Sequence, residues 1–192
     1  MENCELESII ESFKWNNPAN GNKVILGKYI ENGVMINGNP EERKEEIDLL
    51  DSKGGKEIGW GGEAEVFLYK INGKNRVVKR FHNWRQNLET NGLLQFRCAR
   101  KIKEKGIETP EVYAANEKVV IMDYIPHPML FDVLHLTKGN DKKILLNSWK
   151  NLRSKLIKAL PEESIDMHPE HAENGYLKPV SGSYVIGVYD QG

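Results

Sequence analysis

The residues with the clearest capacity for chemistry are a group of glycines at the start of an alternating stretch, EIGWGGEAEVFLYKI, at positions 57–71. The group nearly fits the pattern G-x-G-x-x-G-x-V, with an alanine in place of the third glycine. Because glycine has no Cβ, it lets backbone N–H groups come close to phosphate oxygens, although the same composition also suits an ordinary turn. The candidate phosphate-binding residues are Gly59, Gly61, Gly62, Ala64 and Val66.

The residues that follow the glycines distinguish between types of phosphate-binding loop. Period-two alternation predicts a strand from Val66 to Ile71, whereas a dinucleotide fingerprint requires a helix there and a Walker loop requires Gly-Lys-Ser/Thr. Asn72-Gly73 predicts a two-residue hairpin turn, because both central positions of such a turn need positive φ. The return strand, RVVKRF, carries Lys79. These features predict a glycine-rich hairpin with a lysine on the next strand, and the alternative is a plain turn with an exposed strand lysine.

On these residues the chain resembles the protein kinase-like superfamily, and in particular its small bacterial and atypical members: RIO-type kinases, aminoglycoside phosphotransferases and lipopolysaccharide core kinases. The resemblance extends over residues 57–192. It implies an α+β, bilobal fold with an antiparallel β-sheet N-lobe that carries one helix, and a truncated, mainly helical C-lobe. The implied divisions are an N-terminal extension at 1–55, an N-lobe at 56–125 and a C-lobe at 126–192.

The sequence KVVIMDYI at 118–125 resembles the strand that leads into the hinge of a kinase. By this resemblance Met122 is the gatekeeper beside the adenine, and Asp123 and Ile125 offer backbone hydrogen bonds to the adenine edge. Lys79 would neutralise the α- and β-phosphates of ATP as a point charge. The other interpretation of this stretch is a buried strand without a special role.

The partner that a kinase provides for this lysine is ambiguous in the sequence. Counting back from GIETP at 106–110, as related kinases run, places Gln95 where a glutamate is usual. Glu89 lies six residues earlier, on a different face of the predicted helix. Either Gln95 hydrogen-bonds Lys79 without a charge, or Glu89 pairs with it through a shifted helix.

Two aspartates late in the chain resemble the catalytic and metal-binding aspartates of the phosphotransferase-like branch. In SIDMHPEH at 164–171, Asp166 matches the catalytic residue that orients the acceptor hydroxyl and accepts its proton. In VIGVYDQG at 185–192, Asp190 matches the aspartate that holds Mg²⁺, or Mn²⁺ in its place.

The second metal ligand has two candidates. His171 occupies the position of the usual asparagine, and Asn174 follows three residues later. An imidazole is a poorer Mg²⁺ ligand than an oxygen donor, so a transition-metal site is a further alternative. That site would consist of Asp166, His168, His171 and Asp190.

The leading functional hypothesis is an ATP- and Mg²⁺-dependent kinase that transfers the γ-phosphate to a hydroxyl, chiefly of a protein Ser or Thr. The His-Pro pair after Asp166 favours a small-molecule phosphotransferase of the sugar or aminoglycoside type as the alternative. Gln95 and His171 favour a pseudokinase that binds a nucleotide or a partner without turnover. The sequence ends at Gly192, directly after the Asp-x-Gly, which fits either a minimal kinase or a shortened sequence.

Supporting elements follow from hydrophobic periodicity and turn residues. They are a helix at 2–13, a charged helix within 39–55, a helix at about 87–105 that ends at Gly106, an amphipathic helix at 142–160 and a strand within 183–192.

Composition limits the kinds of partner. The 192 residues carry a net charge of −1, which argues against a general nucleic-acid-binding surface. Cys4 and Cys98 form no disulfide framework and suit a reducing compartment. The N-terminus lacks the apolar core of a signal peptide, and no apolar run has the length of a membrane span. We therefore expect a cytoplasmic protein, or one exported without such a signal, and no membrane partner.

Overall fold

The computed structural model describes residues 14–16, 34–82, 92–159, 174–181 and 183–188. The predicted helix at 2–13 lies outside these residues. The chain divides into two compact units, one formed by residues 1–97 with 111–124 and the other by 98–110 with 125–192. Each unit is described by itself below.

The first unit is built on an antiparallel β-sheet. The seven described strands lie in the order β1-β2-β6-β7-β5-β4-β3, and every neighbouring pair is antiparallel. The α+β class with an antiparallel sheet is therefore confirmed. The strands are β1 Lys14–Asn16, β2 Val34–Ile36, β3 Lys56–Trp60, β4 Ala64–Ile71, β5 Lys74–Phe81, β6 Val112–Ala115 and β7 Val119–Asp123.

The predicted hairpin turn between β4 and β5 is confirmed. Asn72 has φ +47° and Gly73 has φ +77°, so both central residues are left-handed, and Ile71 lies opposite Lys74. An unbroken register then runs from this turn to Ala64 opposite Phe81. The turn thus determines which residue of β4 faces each residue of β5.

Residues of the predicted N-terminal extension belong to the same sheet. Strand β2 pairs with β6, and the predicted charged helix is α1, Lys44–Asp48, which continues as a short 3₁₀ turn at Leu49–Asp51. Gly54 follows with φ +113°. Helix α1 and the 3₁₀ turn pack against one face of the sheet, where a buried apolar cluster contains Val34, Ile36, Leu50, Val78, Ala114, Val119 and Ile121.

Helix α2, Gly92–Glu104, ends two residues before Gly106, whose φ of +70° is the left-handed conformation expected after a helix. At its other end, Gly92 lies against the β6–β7 turn. A Cβ on Gly92 would be 2.3 Å from the Asn116 carbonyl oxygen and 2.6 Å from that of Val119. Only glycine therefore allows α2 to start this close to the sheet.

The second unit contains α3, Leu130–Leu136, α4, Gly139–Ala159, and a hairpin of β8, Gly175–Val180, with β9, Ser183–Val188. The long amphipathic helix and the late strand are as predicted, whereas β8 was not predicted. The buried side chains of Leu130, Trp149, Leu156 and Tyr176 form the interior. Gly187 is required because a Cβ there would lie 2.2 Å from the Tyr176 ring.

The segment between α2 and β6 also belongs to this unit up to Pro110. The Glu108 carbonyl oxygen accepts a hydrogen bond from Val188 N at 3.0 Å, and its carboxylate pairs with Lys178 Nζ at 2.7 Å. Both strands of the β8–β9 hairpin are thereby attached to the segment that follows α2. Within the described part of the chain, no helix is both long enough and apolar enough to cross a bilayer.

Gly92→Ala is expected to lower the free energy of unfolding by about 1–3 kcal/mol, because the new methyl group would overlap two backbone carbonyl groups that cannot rotate away. Gly62→Ala is the matched control, since a Cβ at Gly62 meets nothing within 4 Å. Urea unfolding followed by circular dichroism measures both. Equal stability of the two variants would contradict the close approach at Gly92.

Candidate functional site

Strand register places Lys79 in one row with the glycine hairpin. Gly59 lies opposite Val66, Val66 opposite Lys79, and Lys79 opposite Val120. Directly paired residues of antiparallel strands point to the same face of a sheet. The glycine, the valine and the lysine predicted to bind ATP therefore share a face, which we call the lysine face.

Two further predicted residues also lie on the lysine face. Met122 pairs with Val77, two residues from Lys79, and Ala64 pairs with Phe81, two residues from Lys79 in the other direction. Since side chains alternate along a strand, all of them point the same way. Lys79 is only 6% exposed, and its Nζ lies 4.9 Å from the Phe81 ring centroid, a cation–π contact.

The glycine turn is closed by backbone hydrogen bonds. Gly61 N donates to the Ala64 carbonyl oxygen at 3.0 Å, and His82 N donates to the Glu63 carbonyl oxygen at 2.9 Å. His82 Nε2 lies 3.0 Å from the Gly61 carbonyl oxygen, and its ring lies 6.1 Å from that of Trp60. His82 was not singled out in the sequence, but counting register outward from the Asn72-Gly73 turn places it opposite Glu63.

The glycines of this turn are not explained by the packing of the protein. None of Gly59, Gly61 and Gly62 has a left-handed φ. A Cβ on Gly59 would lie 3.6 Å from Val66, and one on Gly61 would lie 4.0 Å from the Ala64 carbonyl oxygen. A Cβ on Gly62 would meet nothing within 4 Å. Ala64 is buried in β4 with ordinary backbone angles. An alanine therefore fits the third glycine position, and a Cβ on any of the other three would make no contact shorter than 3.6 Å.

Gln95 lies on α2, in the part grouped with the first unit, and is 7% exposed. Glu89, the alternative partner for Lys79, lies outside the described residues. The choice between the two stays a prediction.

The side chain and the backbone amide of Asp123 both form hydrogen bonds within the protein. The amide donates to the Glu111 carbonyl oxygen at 2.9 Å, and the carboxylate accepts from Arg76 Nη1 at 2.8 Å and from the Tyr113 hydroxyl at 2.9 Å. Asp123 pairs with Arg76 and follows Met122, so its side chain is on the face opposite the lysine face. A contact between Asp123 and an adenine would therefore use its carbonyl oxygen.

The surroundings of Asp123 also change the acidity of its phenol partner. Burial, and secondarily the hydrogen bond to Asp123, raise the pKa of Tyr113 from 10.0 to about 12, although the nearby guanidinium groups of Arg76 and Arg43 oppose this shift. The Tyr113 hydroxyl is consequently a stable donor to the carboxylate at neutral pH.

In the second unit, the structure describes only part of the predicted catalytic region. Asn174 is half-buried and immediately precedes β8, whose first residue, Gly175, pairs with Val188 at the end of β9. Asp166, His168, His171 and Asp190 lie outside the described residues. Among the described residues, no group of three or more His, Cys, Asp or Glu side chains could hold a metal ion.

Comparisons with known proteins bear on this arrangement. The family model of the RIO domain matches residues 66–160, just under half of the chain. The Rio2 kinase–ADP/Mg²⁺–phosphoaspartate complex from Chaetomium thermophilum aligns with a TM-score of 0.54 and 16% identity. The chain is therefore similar to the RIO domain over these residues and shares a protein kinase-like fold with the Rio2 kinase.

The kinase-like chain also aligns with other solved structures. They are WaaP in complex with acyl carrier protein, at TM-score 0.48 and 14% identity, and the PknI kinase domain of Mycobacterium tuberculosis, at TM-score 0.45 and 15% identity. These alignments cover 77% and 71% of this chain and 63% and 57% of those chains, respectively. The Rio2 alignment covers 77% of this chain and 50% of that one, so our chain spans about half the length of that kinase. No curated protein matches the sequence.

Tyr113→Phe is expected to destabilise the kinase-like fold by about 1–2 kcal/mol at pH 8, because the Asp123 carboxylate loses the hydrogen bond that the Tyr113 hydroxyl donates to it. The folded-state pKa is raised, so this contribution is present below pH 10 and is lost as the pH rises towards 12. Urea unfolding of parent and variant between pH 8 and 11.5 measures the difference. Tyr184→Phe, at a ring that is 65% exposed, is the control. A difference that stays constant over this range would contradict the raised pKa.

Proposed function

We propose that the chain is an ATP- and Mg²⁺-dependent kinase that transfers the γ-phosphate to the hydroxyl of a protein Ser or Thr. The observation that carries this proposal is the row of Gly59, Val66 and Lys79 across β3, β4 and β5. It combines a glycine-rich turn, whose backbone a ligand can approach closely, with a cation on one face of a sheet. Phosphoryl transfer depends mainly on positioning and charge neutralisation, and these groups provide both.

The backbone conformation and the surroundings of the glycines in the turn support phosphate binding. Its glycines have no left-handed φ, and side chains at their positions would meet no crowded protein atoms. A phosphate that comes close to the backbone amides explains why glycine occupies these positions. Lys79 would neutralise the α- and β-phosphates, and Gln95, buried on α2, would hydrogen-bond it without a charge.

The adenine would lie beside Met122, with the Asp123 carbonyl oxygen and the Ile125 amide as its hydrogen-bonding groups. Met122 is on the lysine face, and the Asp123 amide is already bonded to Glu111. In this proposal residues 56–125 form the N-lobe, and residues 126–192 form the C-lobe with the catalytic groups.

Asp166 would accept the proton of the attacking hydroxyl as its oxygen bonds to the γ-phosphorus and the bond to ADP breaks. For the metal we favour Asn174 over His171. The pairing of Gly175 with Val188 joins the strand that Asn174 precedes to the strand that leads to Asp190. Amide and carboxylate oxygens suit Mg²⁺ or Mn²⁺, which would stabilise the negative charge of the phosphates. The solved Rio2 kinase contains ADP and Mg²⁺, which supports the same cofactors here.

A nucleotide-binding module without turnover is the second candidate, and the neutral, buried Gln95 favours it. It predicts that ATP binds but that no phosphate is transferred. Measuring binding and transfer on the same preparation separates the two candidates.

Lys79→Met is expected to reduce phosphate transfer from radiolabelled ATP by about 10²–10³-fold, because a positioned cation that stabilises transition-state charge is lost. Lys74→Met, at an exposed lysine on the same strand, is the matched control and should behave like the parent. Protein, sugar and aminoglycoside acceptors are assayed in parallel with Mg²⁺ and Mn²⁺. The proposal would be contradicted if the parent transfers phosphate and Lys79→Met, Asp166→Ala and Asp190→Ala all transfer it equally well.

Gly61→Ala and Gly62→Ala should leave the free energy of unfolding unchanged or slightly raised, because the new methyl groups have space and restrict the unfolded chain. The Kd for ATP, measured by isothermal titration calorimetry, should rise about tenfold in each, equivalent to about 1.4 kcal/mol. Unchanged ATP affinity in both variants would show that the turn does not hold the phosphates.

A further inference from the structure

A cluster of charged and aromatic side chains lies on the face of the sheet opposite Lys79, and we call it the Asp123 cluster. Arg76 is its centre: Arg76 Nη1 donates to Asp123 Oδ1 at 2.8 Å, and Arg76 Nε donates to Glu46 Oε1 at 3.0 Å. The Arg76 guanidinium also lies 4.2 Å from the centroid of the Tyr113 ring, whose hydroxyl donates to the same Asp123 oxygen. One guanidinium thus joins helix α1 to the residue after the predicted gatekeeper.

The Arg76–Glu46 ion pair is shielded from water, and the Arg76–Asp123 ion pair is partly shielded. The side chains of Arg76 and Glu46 are each 7% exposed, and that of Asp123 is 34% exposed. An ion pair removed from water is stable only when its geometry is well satisfied, so it acts more on position than on net stability. The exposed pair between Lys44 and Asp48 on the same helix, with side chains 75% and 62% exposed, imposes far less constraint.

A second attachment joins the same N-terminal segment to the neighbouring strand. Asn37 N donates to the Tyr113 carbonyl oxygen at 2.9 Å, and Asn37 Nδ2 donates to the Val112 carbonyl oxygen at 3.0 Å and to Glu111 Oε1. The Glu111 carbonyl oxygen in turn accepts from the Asp123 amide. Residues 34–51 therefore contact Asp123 indirectly in two ways. Glu46 binds Arg76, which binds the Asp123 carboxylate, and Asn37 binds Glu111, whose carbonyl oxygen accepts from the Asp123 amide.

The Asp123 carbonyl group shares a planar peptide unit with the Tyr124 amide, which donates to the Asn75 carbonyl oxygen at 3.5 Å. This bond, together with the bonds at the amide and carboxylate of Asp123, restricts the direction of the Asp123 carbonyl oxygen. That oxygen is the group expected to meet the adenine. The N-terminal segment provides Glu46, which binds Arg76 on the face of the sheet opposite the lysine face.

We propose that Glu46 and Arg76 are positioning residues for nucleotide binding, so that residues 34–51 control the affinity of the kinase-like unit for ATP through Asp123. The inference rests on the proposed function and deepens it. It assigns to the N-terminal segment a regulatory role: any partner or modification that withdraws α1 from Arg76 weakens ATP binding without touching the nucleotide.

Glu46→Gln tests this role on the full chain, because it removes the charge of the carboxylate and keeps its shape. The Kd for ATP with Mg²⁺, measured by calorimetry at a temperature where circular dichroism shows the variant folded, should rise about 3–30-fold. Asp48→Asn, which breaks the exposed pair on the same helix, should leave the Kd unchanged. Turnover at saturating ATP should stay near that of the parent, which a general loss of structure would not allow.

A measurement on the parent covers the case in which Glu46→Gln fails to fold. Because coupling is reciprocal, saturating ATP should slow amide hydrogen exchange in residues 44–51 as well as in residues 119–125. Two results would overturn the inference alone: ATP binding with equal Kd in Glu46→Gln and Asp48→Asn, or binding by the parent without slower exchange at 44–51. A parent that binds no ATP would overturn the inference and the proposed function together.

Discussion

Asn72 and Gly73 both adopt positive φ and form a two-residue turn between the paired residues Ile71 of β4 and Lys74 of β5. The rest of the first unit depends on this turn, because strand side chains alternate with a period of two. A slip by one residue would move Lys79 to the face that carries the apolar cluster and would bring Arg76 or Arg80 to the side of the glycines. Such a slip would bury guanidinium groups without their present partners, so the turn and the burial pattern enforce the same register.

The central strands give the sheet two chemically different faces. On one, Val66, Lys79 and Met122 follow from the registers of β4, β5 and β7. On the other, Val78 and Ile121 meet the apolar side chains of the N-terminal segment, and Arg76 links Glu46 to Asp123. Alternation within three strands therefore places a candidate phosphate site and the anchor of the predicted hinge back to back. This arrangement is the structural basis of the proposed effect of residues 34–51 on the candidate site.

Local signals were sufficient where a residue type determines its own backbone. The Asn-Gly turn, the left-handed Gly106 after α2 and the periodicity of α4 were all predicted from composition over a few residues. Strand β8 was not predicted, because GYLKPV contains a proline and a glycine that weaken a strand pattern. Its pairing with β9 is local, but its packing involves residues distant in sequence, because a Cβ on Gly175 would lie 3.0 Å from Trp149 and 3.2 Å from Leu130. The pairing of β2 with β6 was likewise not predicted, because the two strands are far apart in the sequence.

The sequence by itself determined the kinase-like class and the identity of the candidate groups: glycines before a strand, a lysine after a tight hairpin, and aspartates after a long helix. The glycines and the lysine of the hairpin follow from turn chemistry and side-chain period, which are local properties of the chain, whereas the kinase-like class follows from the resemblance of these motifs to the protein kinase-like superfamily. Only the tertiary structure decided that Gly59, Val66 and Lys79 form one row, that Ala64 needs no left-handed backbone, and that Glu46 reaches Asp123 through Arg76. Register between strands joins residues as distant as Met35 and Ala115, and the ion pairs of Arg76 connect Glu46 with Asp123, so no local pattern records such pairings.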